Sequence, residues 1–162
     1  MIVTIGMVIQ MADVRESAVR YLNVKPRTKQ QVIKYLTRKG FNEDDIGQVV
    51  QDLEEYHYID DLSYSSLYFE YGFGKGRGIA RIKRELAEKG VDHEIIEMAH
   101  QGLESVPDQY KAACDIAGSM MRGVDTETMD YDEKRKFQAK IGRRLMTRGF
   151  SSDIVYKVIN NL

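Results

Sequence analysis

The sequence contains few of the residues that interrupt helices or crosslink a chain. Among its 162 residues there are two prolines, one cysteine (Cys114) and no tryptophan. A single cysteine excludes an intramolecular disulfide and is typical of a reducing compartment, so we expect a cytoplasmic protein. No apolar run approaches the roughly 18–20 residues of a membrane-spanning helix. Because long polar helix formers dominate, we predict an all-α fold.

The N-terminal segment is the most apolar part of the chain. Residues 1–11 read MIVTIGMVIQM, with no basic residue before the apolar stretch and no small-residue cleavage site after it. A secretory signal peptide needs both features. We therefore interpret residues 1–12 as an N-terminal tail or a short strand.

Three segments of the sequence align without gaps and define an internal repeat. Each begins with a landmark leucine, has a basic residue three positions later and a glycine directly after it, and closes on another leucine. The three segments are Leu36–Leu53, Leu86–Leu103 and Leu145–Leu162. Such self-similarity is the signature of a repeat architecture.

Apolar spacing within each segment predicts two helices joined by a glycine turn. Before the glycine, apolar residues lie four apart in pairs such as Val32 and Leu36. After it, an i, i+3, i+4, i+7 stripe predicts an amphipathic helix, which in the third segment ends on Leu162. The turn glycines are Gly40, Gly90 and Gly149, each placed where a helix end favours a left-handed residue. The predicted caps of the following helices are Asn42, Asp92 and Ser151 or Ser152.

Further helical sequence precedes each pair, so each repeat holds about three helices. We predict repeats at residues 13–59, 60–105 and 106–162, stacked as an elongated, curved array. Asp60 or Asp61 is expected to cap the opening helix of the second repeat. The polar stretch 123–132 is predicted to be a loop.

The net charge of −1 hides a repeating basic pattern, which we call the basic ridge. Residues nine, five and two positions before each landmark leucine lie on one helix face, and eight of these nine are basic. They are Arg27, Gln31 and Lys34, then Arg77, Arg81 and Arg84, then Lys136, Lys140 and Arg143. A solvated helix face is one interpretation. The other is a surface for a repeating anionic partner, to which Lys75 would also contribute.

Motifs for catalysis or cofactor binding are weak. Residues 72–78 (GFGKGRG) lack the Ser or Thr that a P-loop needs after its lysine, and no strand pattern precedes them, so we interpret them as a flexible start to a helix. The three histidines have no zinc-ligand spacing, and Cys114 has no evident base nearby. The aromatic residues from Tyr56 to Phe73 are expected mainly to pack in the core, with interface anchoring as the alternative for some of them. We predict no catalytic residue, no metal and no cofactor.

Several of these segments resemble one known family. Ile79–Gly90 (IARIKRELAEKG) with Val91–Ala99 resembles the central signature of RecX, the bacterial regulator of the RecA recombinase, as does the Tyr58–Asp61 step (YIDD). Leu145–Ile154 resembles the last repeat of that family and Tyr21–Gly40 its first. The resemblance covers roughly residues 13–162.

The resemblance implies a non-enzymatic, curved, all-helical protein of three three-helix repeats. It implies binding to RecA, both free and as a filament on DNA, with inhibition of ATP hydrolysis, strand exchange and coprotease activity. It thereby implies a role in homologous recombination, DNA repair and the SOS response. The alternative that we keep open is a monomeric helical module that binds single- or double-stranded DNA directly through the basic ridge.

Overall fold

Nine α-helices and no strand make up the part of the chain that the structure describes. The computed structural model describes the backbone of residues 2–162 and the side chains of residues 12–162. The helices are α1 (Ile2–Val24), α2 (Lys29–Arg38), α3 (Glu43–Glu55), α4 (Asp61–Gly74), α5 (Ile79–Glu88), α6 (His93–Gln101), α7 (Gln109–Met121), α8 (Tyr131–Arg148) and α9 (Ser152–Asn160). They follow one another as three groups of three, which confirms the prediction of an all-α fold built from three-helix repeats.

The N-terminal segment differs from its prediction. The backbone is helical from Ile2, so the tail or short strand expected over residues 1–12 is wrong, although its side chains up to Met11 lie outside the described residues. A short apolar run does not distinguish a strand from a helix by periodicity alone. The opening helix of the first repeat extends backwards to Ile2 at low cost, because adding residues to an existing helix avoids a second nucleation.

The predicted turns and caps are present in the structure. Gly40, Gly90 and Gly149 have φ of +88°, +83° and +90°. The side chains of Asn42, Asp92 and Ser151 accept from backbone N–H groups in the first turns of α3, α6 and α9. The loop predicted at residues 123–132 is two residues shorter than expected. Asp130 caps α8 in a capping box with Glu133, so the helix begins at Tyr131.

The sequence predicted Asp60 or Asp61 as the cap of α4, and the structure shows that the two aspartates cap different helices. Asp60 caps α4, since its carboxylate accepts from the Ser63 N–H at 2.9 Å. The Asp61 carboxylate accepts from the Lys29 N–H at 2.8 Å and so satisfies the start of α2 instead. Burial raises the pKa of Asp61, and the Lys29 N–H opposes that rise.

The contacts within the chain divide it into two compact units, and each unit contains part of the middle repeat. One unit comprises residues up to Ser66 with Leu86–Gly102, and the other comprises Leu67–Glu85 with Leu103–Leu162. In the first unit, α1 packs against α2 and α3 around the buried residues Val14, Ala18, Val32, Leu36, Ile46, Val49, Val50, Leu53 and Ile59. In the second unit, α7, α8 and α9 pack together around Ala113, Ala117, Ile141, Leu145, Phe150, Val155 and Val158.

Two expectations about the core are only partly correct. Leu162 was expected to close the apolar stripe of the last helix, but it is 45% exposed because α9 ends at Asn160. The aromatic stretch was expected mainly in the core, yet of its residues Phe69 alone is fully buried. Tyr56, Tyr58 and Tyr71 are more than half exposed.

Each turn glycine of the second and third repeats lies against the preceding repeat. The Thr28 hydroxyl donates to the Lys89 carbonyl oxygen at 2.7 Å. The Gly78 N–H donates to the Arg148 carbonyl oxygen, also at 2.7 Å. Thr28 and Gly78 both lie eight residues before their landmark leucine, while Lys89 and Arg148 both lie three residues after theirs. The same position-to-position contact therefore forms twice, and we call it the repeat seam.

At the seam contact between the second and third repeats, glycine is needed because the two backbones touch. A Cβ on Gly149 would lie 2.5 Å from the Arg81 nitrogen, and a Cβ on Gly78 would lie 2.3 Å from the Gly149 oxygen. Gly78 was expected to belong to a flexible helix start, whereas the structure holds it in this close approach. Gly40, the equivalent of Gly149 in the first repeat, has no described atom within 4 Å of the Cβ position.

The seam predicts unequal costs for two otherwise matched substitutions. G40A and G149A both place alanine in nearly the same left-handed backbone conformation, which costs about 1–2 kcal/mol. G149A in addition forces Cβ into the Arg81 backbone, and overpacking of this kind costs a further ~1–3 kcal/mol. We expect urea denaturation to show a clearly larger loss of stability for G149A. Equal losses in the two variants would contradict the seam.

Candidate functional site

One basic side chain is exposed at the same position of every repeat. Lys34, Arg84 and Arg143 each lie two residues before a landmark leucine, on α2, α5 and α8, and all three are exposed. The residues four apart on the opposite face, such as Ile141 and Leu145, are fully buried. The amphipathic pattern therefore orients this part of the basic ridge outward from its own helix.

In the first repeat, the ridge residue Arg27 is held by an aromatic stack. Its guanidinium lies over the Tyr21 ring, 4.2 Å from the centroid, and the Tyr21 ring stacks on Tyr35 with centroids 4.0 Å apart. The Arg27 Nε is buried, with no hydrogen-bond partner among the described groups. Gln31, the one neutral ridge position, is used by the helix itself, because it completes the capping box with Thr28.

In the second repeat, two ridge arginines converge on one carboxylate. Arg77 Nη1 lies 2.8 Å from Glu85 Oε2, and Arg81 Nε lies 2.8 Å from Glu85 Oε1. The Tyr68 hydroxyl donates to Oε2 at 2.9 Å. Arg77 also lies over the Tyr71 ring, 5.3 Å from the centroid. We call Arg77, Arg81, Tyr68 and Glu85 the Glu85 cluster.

The charge state of Glu85 follows from these contacts. Burial of the carboxyl raises its pKa, but the hydrogen bonds from Arg81 and Tyr68 and the two positive charges outweigh that effect. The pKa of Glu85 therefore lies below its ordinary value, and the carboxylate stays ionised at neutral pH. Burial, together with its bond to Glu85, raises the pKa of the Tyr68 hydroxyl, which stays protonated.

The third repeat has no equivalent of Glu85. The residue directly before the landmark leucine is Tyr35 in the first repeat, Glu85 in the second and Arg144 in the third. From Lys134 to Arg148, α8 contains seven basic residues and no acidic one. The ridge residues Lys136, Lys140 and Arg143 are all exposed. The third repeat thus presents the most strongly uncompensated positive charge of the three.

A groove lies beside these charges on α8. It measures about 510 Å³ and is lined by Met120, Phe137, Lys140, Arg143, Arg144 and Thr147. An apolar floor flanked by cations can bind a partner that presents both negative charge and an apolar or aromatic group. α8 starts fourteen residues before its landmark leucine, whereas α2 and α5 start seven before theirs, and this longer start adds Lys134, Arg135 and Lys136.

The extra cation Lys75 lies at the turn between α4 and α5. Its side chain is exposed, with Nζ 5.7 Å from the Tyr71 ring centroid. Its backbone carbonyl accepts from Arg148 Nη1 at 2.9 Å, so Arg148 fastens this turn to the end of α8. The exposed Lys75 ammonium group can contact a partner, whereas the Arg148 guanidinium group is used in the contact between the second and third repeats.

The structure shows neither a metal cluster nor a membrane span within its described part. Among the described side chains, no group of three or more His, Cys, Asp or Glu could hold a metal ion. No helix there is both long and apolar enough to cross a bilayer.

The contacts of Glu85, Tyr21 and Tyr68 with the ridge arginines were not predicted from the sequence. Glu85 was detectable in principle, since it lies four residues after Arg81, the spacing of a helical ion pair. Tyr21 and Tyr71 each lie fifteen residues before their landmark leucine, six before Arg27 and Arg77. That repeated Tyr–Arg spacing was a second signal.

The lowered pKa predicts a pH dependence for the substitution E85Q. Because the folded-state pKa of Glu85 is lowered, its stabilising effect is present above the unfolded-state pKa of about 4.3 and is lost as the pH falls through the folded value. We expect E85Q to lower the free energy of unfolding by about 1 kcal/mol at neutral pH.

That difference between parent and E85Q should shrink toward zero in acid, as measured by urea denaturation across a pH series. E70Q makes the same charge change at an exposed site on α4 and serves as the control. A difference between parent and E85Q that does not change with pH would contradict the proposed ion pairs.

Comparison with protein families matches two consecutive three-helix units of the chain. Residues 15–53 match the first three-helix domain of RecX, and residues 60–99 match the second. The chain is also similar to a crystal structure of RecX from Lactobacillus salivarius. The TM-score is 0.81 at 27% identity, and the match covers 96% of this chain and 97% of the other.

Curated relatives show the same likeness in sequence. The regulatory protein RecX of Vibrio vulnificus is 30% identical over 141 residues, which cover 87% of each chain. That of Clostridium botulinum is 27% identical over 146 residues, covering 90% of this chain. This chain spans 66% of the length of the Clostridium relative and 54% of that of a Lactobacillus delbrueckii relative. Because sequence likeness of this extent accompanies the same helical units in the same order, the chain belongs to the RecX family of regulatory proteins.

Proposed function

We propose that the chain is a non-enzymatic regulator that binds the RecA recombinase, both free and as a filament on DNA. In this proposal it inhibits the ATP hydrolysis, strand exchange and coprotease activity of RecA, and so modulates recombination, DNA repair and the SOS response. It acts in the cytoplasm as a monomer and needs no cofactor. Its repeats are residues 13–59, 60–105 and 106–162.

Membership of the RecX family supports this proposal, and one structural observation carries it. A basic side chain is exposed at the same position of each repeat, at Lys34, Arg84 and Arg143. A partner that repeats its own negative charge can engage several such positions at once. Individually weak contacts on one chain then combine into tight binding, because each later contact is intramolecular.

Inhibition follows from selective binding to one state of the partner. A ligand shifts a conformational equilibrium only by the difference in its affinity for the two states. A protein that contacts successive recombinase subunits binds best to one arrangement of them. The filament is then held in that arrangement, and the changes that accompany ATP hydrolysis are suppressed.

Direct binding to DNA is the second candidate function, and α8 favours it. From Lys134 to Arg144, α8 has six basic residues and no acidic one. Next to the groove that Met120 and Phe137 line, they suit a phosphate backbone with adjoining bases. This alternative predicts tight binding to bare DNA that weakens steeply with salt. Weak binding to bare DNA with strong binding to the filament would reject it.

A titration of recombinase activity tests the favoured function. We expect the purified chain to lower the DNA-dependent ATPase rate of its cognate RecA at less than one chain per recombinase subunit, because one chain contacts several subunits. The measurement is steady-state ATP hydrolysis on single-stranded DNA. An unchanged rate at equimolar concentration would reject the proposal.

Charge reversal at the three equivalent positions tests which surface acts. We expect the triple variant K34E/R84E/R143E to inhibit the ATPase much less than the parent, with its melting temperature nearly unchanged, because exposed substitutions usually change stability by less than about 0.5 kcal/mol each.

The matched control is K25E/K111E/R122E, which reverses three other exposed basic residues. Each reversal changes the charge by two, so both variants go from −1 to −7. If the two triple variants inhibit equally well, the basic ridge is a solvated face and not the partner surface.

A further inference from the structure

The Glu85 cluster has the geometry of an occupied anion site. Both carboxylate oxygens of Glu85 are used: Oε1 by Arg81, and Oε2 by Arg77 and Tyr68, all at 2.8–2.9 Å. Two guanidinium groups from successive positions of the basic ridge thus point at one place. Arginine binds carboxylates and phosphates through the same planar set of donors, so a phosphate group fits where the carboxylate now lies.

We propose that Glu85 is an internal competitor that occupies the site of Arg77 and Arg81, and that the phosphodiester backbone of single-stranded DNA gains these arginines only by displacing it. The inference rests on the proposed function of the basic ridge, and it identifies Glu85 as the residue that limits binding of the partner by the second repeat. Glu85 sets how strongly the second repeat contributes to binding.

Comparison of the three repeats supports a specific role for this carboxylate. Only the second repeat has an acidic residue directly before its landmark leucine, where the others have Tyr35 and Arg144. In the first repeat Tyr35 stacks on the ring that holds Arg27, so the basic residue is positioned without being neutralised. A cluster needed only to hold an arginine in place therefore does not require a carboxylate.

The partial exposure of the cluster makes displacement feasible. The side chains of Arg77, Arg81 and Glu85 are 20%, 31% and 17% exposed, so solvent and ions reach the ion pairs. Because an incoming phosphate offers the same kind of acceptor oxygens, it can replace the carboxylate while both arginines keep a charged partner. Contact with Tyr71 keeps Arg77 in position, since its guanidinium lies over that ring.

Nucleic acid suits the site better than an isolated carboxylate does. A phosphodiester backbone places negative charges at short, regular intervals. Arg81 and the exposed Arg84 lie on α5, and Arg77 lies in the turn just before that helix. The exposed Tyr71 ring next to Lys75 and Arg77 offers a surface on which a base can stack.

The test compares E85Q with E70Q, which has the same net charge, in binding a fluorescent 30-nucleotide oligothymidylate over a salt series. Each phosphate contact to a single strand adds about 0.7 to the slope of log K against log salt. Release of two arginines should therefore steepen the slope of E85Q by about 1.4 relative to both parent and E70Q. E85Q should then lose about seven-fold more affinity than the parent between about 50 and about 200 mM salt.

A second comparison separates competition from a change in folding. In the R77Q/R81Q background, E85Q should bring no gain in affinity and no steeper slope, because the arginines it would release are absent. Circular dichroism and thermal melting establish that each variant is folded. E85Y, which introduces the residue of the first repeat, should reproduce the effect of E85Q.

Equal slopes for E85Q and E70Q, weaker binding by E85Q, or a gain that persists without the two arginines would overturn the inference. Stronger ATPase inhibition by E85Q with an unchanged slope on DNA would assign the arginines to a protein carboxylate and also overturn it. The parent's own ATPase titration decides the proposed function separately, since it does not depend on Glu85.

Discussion

Two carbonyl oxygens at helix ends, those of Lys89 and Arg148, place each repeat against the one before it. The Lys89 carbonyl oxygen accepts from the Thr28 hydroxyl, and the Arg148 carbonyl oxygen accepts from the Gly78 N–H. Both donors lie eight positions before the landmark leucine of the preceding repeat. At the second of these contacts the two backbones come close because glycine follows the carbonyl, whereas at the first contact Gly90 lies against the Gln30 side chain. Left-handed φ at Gly90 and Gly149 turns the chain, and the missing Cβ leaves room for Gln30 and Arg81.

Similar backbone positions do not lead to similar use of the ridge side chains. Arg27 and Arg77 occupy equivalent positions, and each lies over a tyrosine fifteen residues before the landmark leucine. The residue directly before that leucine then decides the outcome: Tyr35 extends the aromatic stack, Glu85 forms ion pairs with two arginines, and Arg144 adds another cation. One position that differs among the three repeats thus gives three different surfaces on a similar backbone, and the strongest positive charge lies on α8.

The sequence was sufficient for the features that depend on local spacing. Apolar periodicity predicted the buried pairs such as Ile82 and Leu86, and the glycine and cap positions agree with the structure. Contacts between distant segments were not predictable in this way. The seam joins Gly78 to Arg148, and nothing local to Gly78 distinguishes a close approach from a flexible start.

The ridge was defined by sign of charge alone, which does not reveal that Arg77 and Arg81 share a carboxylate. Residues 1–12 were misassigned, because a short apolar run fits strand and helix equally well.

The hydrogen exchange rate of the Gly78 amide tests the repeat seam most directly. That N–H belongs to a residue between α4 and α5. The seam gives it a partner 70 residues further along the chain, the Arg148 carbonyl oxygen. Amides in a loop without such a partner exchange quickly, whereas an amide in a buried hydrogen bond exchanges only when the structure opens. NMR-detected exchange should show Gly78 protected as strongly as the core of α8, and far more than residues 125–128. Exchange at Gly78 as fast as in that loop would contradict the seam and the register that depends on it.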